Sequence, residues 1–234
     1  MKKIWIIWAM QEEIDDLLEN MDHKEEIGGY FTGIIGNYEI VLVRSGIWKV
    51  NAAMTTQKLI SEFHVEAVIN TGIAGAMQTW LKVFDFVIST DAVQHDFDVT
   101  GFWYKPTEIP RMETSCFVAD SQLRQDFLNL WKKEKKSELF QKINLIEGRI
   151  ASWDQFIADQ EKKQHIIEIC HPACVEMEGA AIAQVCAVNK IPFLILRCMS
   201  DCADAQGTQT YEFNDKTAAV LSSNLVKNFL EETL

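Results

Sequence analysis

Short apolar segments alternate along this chain with longer amphipathic segments, and this alternation is the strongest constraint on its fold. Continuous apolar runs are typical of buried strands, whereas apolar residues spaced three and four positions apart are typical of helices. Strands are predicted at residues 3–8, 31–35, 39–44, 67–70, 84–92, 142–151, 173–177 and 192–199. Helices are predicted at residues 12–21, 50–63, 120–135, 159–169, 179–188 and 214–231. We therefore expect an α/β fold in which helices cover both faces of a central mixed sheet.

The size and charge of the chain narrow the classes of protein further. Its 234 residues, 48% of them hydrophobic, are enough for one domain with a sizeable core, predicted to span residues 1–234. The sequence has no apolar run long enough to predict a transmembrane helix. The formal net charge of −12 argues against nucleic acid and anionic membranes as partners.

The six cysteines are scattered and do not form the pattern of a disulfide framework. Cys170, His171 and Cys174 could suggest a metal site, but no second closely spaced Cys/His pair accompanies them. Reduced thiols in a cytoplasmic protein explain the cysteines better, and no metal is expected.

Acidic residues follow several predicted strands, where α/β folds build their sites. Glu13 comes soon after the first strand, Glu176 and Glu178 stand at a strand-to-helix junction, and Asp201 follows the last strand. Each has a structural alternative: a charge at a helix start for Glu13 and Glu178, and a cap for Asp201 or Ser200. A buried carboxylate is costly unless it is hydrogen-bonded or paired, and sugar hydroxyls could supply such bonds.

Two other segments are candidates for ligand contact. Residues 71–75, with the sequence TGIAG, follow a buried strand, and their small side chains would let a ligand approach the backbone near Ile73. A simple tight turn is the alternative. The Gly-rich patterns of dinucleotide-binding and P-loop folds are absent from the sequence. Residues 94–112 form the longest irregular stretch, and such stretches are often functional.

Seven segments together carry a resemblance that runs over nearly the whole chain. They are IIWAMQEE at 6–13, SGIWKVNAA at 45–53, NTGIAG at 70–75, HDFDVTGF at 95–102, DQFI at 154–157, VEMEGAAIAQV at 175–185 and RCMSDCAD at 197–204. In their order and spacing they resemble the 5'-methylthioadenosine/S-adenosylhomocysteine nucleosidase family. The resemblance implies a three-layer, nucleoside-phosphorylase-like fold, a homodimer, and a reaction that needs neither metal nor cofactor.

The resemblance also implies a reaction, the hydrolysis of the bond between adenine and ribose in 5'-methylthioadenosine and S-adenosylhomocysteine. The enzyme would serve methionine salvage, and 5'-deoxyadenosine is a further expected substrate. Such cleavage passes through an oxocarbenium-like state. By position, Glu13 is implied to activate the attacking water, and Asp201, helped by Ser200, to protonate adenine N7.

Further positions are implied to bind the substrate. Met177 and Glu178 would contact the ribose, with Glu178 on the 2'-hydroxyl, while Glu176 would be a supporting carboxylate near Arg197. From the residues alone, Arg197 could pair with either Glu176 or Glu178. The residues implied to hold adenine are Val99, Phe156 and Ile157, the last two partly through backbone groups. Those implied to line the pocket for the ribose and the 5'-substituent are Ala9, Met10, Ile47, Phe102 and Tyr211.

Three other functions remain open at this point. A phosphorylase of the same fold would transfer ribose to phosphate and would need a cationic site, of which Arg44 is a possible member. A catalytically impaired homologue would bind nucleosides without turnover. The third is a related hydrolase that acts on aminodeoxyfutalosine, and no feature of the sequence distinguishes that activity from the nucleosidase activity.

Five tryptophans stand where members of the family usually have glycine. They are Trp5, Trp8, Trp48, Trp103 and Trp153, and Phe84 occupies another such position. Glycine positions often require a positive φ or a close backbone approach, so large side chains there predict strain. Either the protein has adjusted to these residues, with altered or lost activity, or UGA codons for glycine were translated as tryptophan. The second explanation fails if the codons are UGG, and it does not cover Phe84.

Overall fold

The computed structural model describes residues 2–8, 15–204 and 207–232, which form ten strands and six α-helices. The strands are β1 (Lys2–Trp8), β2 (Asp22–Ile27), β3 (Tyr30–Ile35), β4 (Tyr38–Arg44), β5 (Ala67–Ala76), β6 (Phe86–Gln94), β7 (Cys116–Val118), β8 (Leu145–Ser152), β9 (Cys174–Glu176) and β10 (Phe193–Asp201). The helices are α1 (Asp15–Glu19), α2 (Lys49–Phe63), α3 (Ser121–Glu134), α4 (Gln160–Cys170), α5 (Gly179–Asn189) and α6 (Gly207–Glu232). Among these residues, no helix combines the length and apolar character needed to span a bilayer.

The strands form one mixed sheet that closes on itself at one end. Strand β5 pairs with β10, β10 with β6, β6 with β8, β8 with β9, and β9 again with β5. The remaining strands extend from β5 in the order β1, β4, β3 and β2, while β7 adds to β6. This confirms the predicted α/β class and the mixed sheet. The closure places the ends of β5, β8, β9 and β10 side by side, where a site can form.

Strand β10 lies at the centre of the core. All nine of its residues are buried, and it pairs on one side with β5 and on the other with β6. Helix α6 packs against β10 and β5, and α5 packs against α2. Burying one Leu or Ile side chain stabilises a fold by about 1.5–3 kcal/mol. The apolar run at residues 192–199 therefore makes β10 a rigid support for the polar residues at its end.

Most predicted elements are present, with ends shifted by a few residues. Asp120 caps α3 by accepting a hydrogen bond from the backbone N of Leu123 at 2.8 Å. The first helix ends at Glu19 rather than Met21, and its predicted start at residues 12–14 lies outside the described residues.

Three sequence expectations were wrong or incomplete. Residues 71–75 continue strand β5, so the tight turn is not found. Strand β2 was missed because its six residues, DHKEEI, are all exposed and carry no apolar alternation. Strand β7 was missed because it has only three residues.

Three of the six aromatic residues at the positions usual for glycine have a positive φ, the strain expected there. Trp48 precedes α2 with φ 91° and ψ 149°, close to a region that is essentially restricted to glycine. Trp103 and Phe84 also have positive φ, of 70° and 73°. Trp5 is fully buried, and its indole N–H has no hydrogen-bond partner among the described residues. Trp153 packs against His95, with ring centroids 4.6 Å apart. The side chain of Trp8 lies outside the described part.

The backbone of Trp48 predicts an unusual order of stabilities. We expect Trp48→Gly to be more stable than Trp48→Ala by at least about 1 kcal/mol, because both remove the indole and only glycine adopts this φ and ψ without strain. Chemical denaturation of the two variants measures the difference.

Thr217→Gly and Thr217→Ala, at an exposed position inside α6, provide the control. There alanine should be more stable than glycine by about 1 kcal/mol, the usual order in a helix. Equal stability of the two Trp48 variants would show that position 48 is not strained.

Candidate active site

A cavity opens where β5, β9 and β10 end. Its empty volume is about 680 Å³ when the open solvent at its mouth is included. Its described lining consists of Ile47, Thr71, Gly72, Ile73, Ala74, Gly75, Gln155, Phe156, Ile157, Val175, Glu176, Met177, Glu178, Arg197, Ser200, Asp201, Ala203 and Tyr211. Apolar walls surround a few convergent polar groups, which is the usual composition of a ligand pocket.

Glu176 is the most connected carboxylate of the cavity. Its Oε2 accepts hydrogen bonds from the guanidinium of Arg197 at 2.5 Å and from the backbone N of Gly179 at 2.8 Å. The backbone N of Glu178 donates to the same oxygen at 3.1 Å, and the hydroxyl of Ser152 donates to Oε1. Arg197 forms a buried ion pair with Glu176, one of the two partners that the sequence left open for it. Glu176 thus fixes the junction between β9 and α5.

Glu178 lies at the start of α5 but makes no side-chain capping bond to that helix. It is only 7% exposed, and its Oε1 accepts a hydrogen bond from the backbone N of Trp48 at 3.1 Å. This bond joins the carboxylate to a segment 130 residues away in the sequence rather than to the first turn of α5. The side chain is held instead within the cavity, next to Met177.

Asp201 is the second acid of the cavity and is 2% exposed. Its Oδ1 accepts a hydrogen bond from the backbone N of Ala203 at 2.7 Å, and its Oδ2 accepts one from the hydroxyl of Ser200 at 2.9 Å. Burial raises the pKa of the Asp201 carboxyl above its ordinary value, and these two hydrogen bonds only partly oppose that rise. A buried acid that holds its proton more strongly is suited to general acid catalysis.

Gly75 allows strand β5 to lie directly against Asp201. A Cβ atom at position 75 would lie 2.9 Å from Asp201 Oδ1 and 3.0 Å from the Cβ of Ala203. Any larger residue would push the carboxyl away from its two donors. The small residues of the TGIAG segment therefore leave room for the carboxyl of Asp201, in addition to lining the cavity.

Eleven of the predicted site residues lie together in this lining: Ile47, Ile73, Phe156, Ile157, Glu176, Met177, Glu178, Arg197, Ser200, Asp201 and Tyr211. The rings of Phe156 and Tyr211 meet edge-on with centroids 5.7 Å apart, and Ile157 is buried beside them. These residues form an apolar wall near Asp201.

Of the other five predicted site residues, the structure describes two, and neither of these is in the lining. Val99 and Phe102 lie at a 3₁₀ turn of the irregular stretch, and Phe102 is 76% exposed. In the single chain, neither contributes to this cavity. Ala9, Met10 and Glu13 lie outside the described residues.

Sequence reasoning missed several lining residues. They are Thr71, Gly72, Ala74, Gly75, Gln155, Val175 and Ala203. The signal for the first four was the TGIAG pattern, from which only Ile73 was selected. The other three are neighbours in sequence of Phe156, Glu176 and Asp201, so their positions follow from those of the selected residues.

Comparisons with known proteins identify the family of this chain. A family model described as the phosphorylase superfamily matches residues 3–231. A curated 5'-methylthioadenosine/S-adenosylhomocysteine nucleosidase of Bacillus cereus is 38% identical over 235 residues, covering 98% of this chain and 99% of the relative. The corresponding Neisseria meningitidis enzyme, solved with methylthio-immucillin-A, has a TM-score of 0.91 and 34% identity, covering 99% of each chain.

A second solved structure shows how far the fold is shared. The futalosine hydrolase of Helicobacter pylori has a TM-score of 0.89 and 31% identity, covering 99% of this chain and 98% of that one. The fold and the matched family model define the chain as a member of the phosphorylase superfamily. Within that superfamily, it belongs to the 5'-methylthioadenosine/S-adenosylhomocysteine nucleosidase family.

The raised pKa of Asp201 predicts a pH-dependent cost to stability. A carboxyl whose folded pKa is raised binds its proton more tightly in the folded state, so stability falls as pH rises from the ordinary value of 3.8 through the folded pKa. Each unit of pKa difference corresponds to about 1.4 kcal/mol. We expect Asp201→Asn to gain stability relative to the unsubstituted protein as pH rises above about 4, until the difference levels off above the folded pKa.

Denaturant unfolding at a series of pH values measures this gain. The exposed Asp22 provides the control, because Asp22→Asn should show no comparable trend. A constant stability difference between Asp201→Asn and the unsubstituted protein would rule out the raised pKa.

Proposed function

We propose that this protein hydrolyses the N-glycosidic bond of 5'-methylthioadenosine and S-adenosylhomocysteine and releases adenine. The observation that carries the proposal is the buried acid Asp201, with its raised pKa, in the same cavity as the carboxylates of Glu176 and Glu178. Relatives with this activity match nearly the full length of the chain.

Asp201 is the general acid in this reaction. Adenine leaves poorly as an anion, so a proton delivered to N7 lowers the barrier. Ser200 and Ala203 orient the carboxyl by donating to its two oxygens. Phe156 and Ile157 hold the base against the acid on the apolar wall.

Glu178 binds the ribose through the 2'-hydroxyl, and Met177 packs against the sugar. A hydrogen bond to that hydroxyl strengthens as the sugar approaches the oxocarbenium-like state. The ion pair of Glu176 with Arg197 supports this contact by fixing the backbone N of Glu178. Glu13 activates the water on the opposite face of the sugar, a role proposed by position in the sequence alone.

Ile47 and Tyr211 line the pocket for the 5'-substituent. The apolar character of this pocket suits a thioether. On the resemblance alone, the proposal also assigns Ala9, Met10 and Phe102 to the pocket for the ribose and the 5'-substituent. On the same ground it assigns Val99 to the adenine contacts.

Water is favoured over phosphate as the acceptor. Arg197 is the one cationic side chain in the described lining, and its guanidinium is bound to Glu176. Arg44 is exposed at the end of β4 and does not line the cavity. A phosphate dianion would therefore meet carboxylates rather than a described cationic site.

The proposal also covers the domain organisation, the cellular location and the oligomeric state of the enzyme. One domain over residues 1–234 works in the cytoplasm without metal or cofactor, in methionine salvage. Its partner is a second copy of itself: α2 and α5 pack together and expose Val50, Met54 and Val188, each at least 65% accessible. A cluster of exposed apolar side chains is typical of an interface. The substrates are small nucleosides, and neither nucleic acid nor membrane is a partner.

Adenine release from 5'-methylthioadenosine, measured by chromatography with and without phosphate, tests the function. We expect turnover in phosphate-free buffer, and losses in kcat of about 100-fold or more for Asp201→Asn and for Glu13→Gln, because each removes an acid–base group.

The alternatives give different results in the same assay. Strict dependence on phosphate would indicate a phosphorylase. Binding of adenine without turnover would indicate an impaired homologue, for which the strained Trp48 beside Glu178 is a physical reason. A parallel assay with aminodeoxyfutalosine separates the futalosine-type activity.

A further inference from the structure

Lys163 is a buried cation next to the strand ends that carry the cavity. It lies in the first turn of α4, and its side chain is largely inaccessible to solvent. Its ammonium donates one hydrogen bond to the carbonyl of Ala76 at 2.9 Å and another to the carbonyl of Cys202 at 2.5 Å. Ala76 ends strand β5, and Cys202 directly follows Asp201. One side chain thus joins the ends of the two strands that carry the cavity.

Both acceptors are main-chain carbonyls, so the lysine acts on the backbone that presents Asp201. The Asp201 carboxyl takes its orientation from the backbone N of Ala203, the residue after Cys202. Holding the carbonyl of Cys202 therefore holds the peptide that leads to this donor. Ala76, in turn, follows Gly75, the residue that packs against Asp201 Oδ1.

The rest of α4 contacts the same loop through apolar residues. Ile166 packs in a small core cluster with Ile157 and Ala203. The start of the helix is fixed by Asp159, whose side chain accepts a hydrogen bond from the backbone N of Lys162 at 2.8 Å. Lys163 is the charged member of an otherwise apolar contact surface.

A charged residue is an expensive choice for this position. Burying an ammonium group costs free energy that a methionine of similar length would not cost. The surrounding cluster of Met77, Ile157, Ile166 and Ala203 is suited to such an apolar side chain. The positive charge therefore needs a reason beyond packing.

We infer that Lys163 is a positioning residue for the acid Asp201. Its two hydrogen bonds clamp the loop that orients the carboxyl, and its ammonium supplies a positive charge that acts on that carboxyl. This inference rests on the proposed nucleosidase activity. The charged and titratable groups acting on Asp201 from the elements around it are Lys163 on α4, and Asp204 and Cys202 on its own loop. Lys163 opposes the rise in the Asp201 pKa that burial and Asp204 cause.

Three substitutions separate the clamp from the charge. Lys163→Met removes both the hydrogen bonds and the charge, Lys163→Gln keeps a donor without the charge, and Lys163→Arg keeps the charge. Without the charge, the Asp201 pKa rises further, so the acid keeps its proton to higher pH. The alkaline limb of the kcat profile should therefore move to higher pH in Lys163→Met and Lys163→Gln, and stay in place in Lys163→Arg.

The rate and the affinity provide a second readout. Loss of the clamp misplaces the acid, so kcat of Lys163→Met should fall by about 10- to 100-fold, with a smaller change in KM. Lys163→Gln should recover part of this loss. Lys132→Met, at an exposed position of α3, is the control and should leave both parameters unchanged.

A measurement without turnover keeps this inference separate from the proposed activity. The pH-dependent stability difference between each Lys163 variant and the same variant carrying Asp201→Asn reports the Asp201 pKa directly. This difference should extend to higher pH in Lys163→Gln than in the protein with Lys163, even if no nucleoside is cleaved.

Each outcome decides one of the two proposals. An inactive protein with Lys163 intact overturns the nucleosidase proposal alone. An unmoved alkaline limb and an unmoved stability difference in Lys163→Gln overturn the role of Lys163. If Lys163→Met does not fold, Lys163→Gln and Lys163→Arg give the same comparison.

Discussion

The buried ion pair between Arg197 and Glu176 is the interaction on which the site depends. Both side chains are at most 3% exposed, so neither charge is solvated by water. Removing one partner of such a pair typically costs about 3–5 kcal/mol, because the other charge is left buried and uncompensated. The pair is supported on both sides: Arg197 also donates to the side-chain oxygen of Asn70, and Glu176 accepts from Ser152 and from two backbone N–H groups.

These bonds connect the strands whose ends form the cavity. Arg197 belongs to β10, Asn70 to β5, Ser152 to β8 and Glu176 to β9, and Asn70 continues the network to the carbonyl of Ile7 in β1. The network thus sets the relative positions of Glu178, at the start of α5, and of Asp201, at the end of β10. The proposed roles of these two carboxylates, sugar binding and base protonation, would require a fixed separation between them, which a rigid support provides.

Acids such as Glu176 and Asp201 were candidates from the sequence itself because they follow apolar segments at strand ends. Ile47, Phe156 and Tyr211 were selected only through the family resemblance. Local patterns could not reveal contacts between distant segments. The bond from the backbone of Trp48 to Glu178 spans 130 residues, and the clamp from Lys163 to Cys202 joins a helix to a loop. The closure of the sheet through β9 was equally hidden, because it rests on two residue pairs. Val99 and Phe102 show the opposite limit: the family pattern selects them, while the fold of the single chain places them outside the cavity.

A double-mutant cycle on the central ion pair tests its role most directly. The unfolding free energies of Glu176→Gln, Arg197→Met and the double variant are compared with that of the unsubstituted protein. Each single variant should lose about 3 kcal/mol or more, and the double variant should lose clearly less than the sum, because it leaves no unpaired charge. Additive losses would show that the two side chains stabilise the fold independently, and the strands around the cavity would then be held together by other contacts.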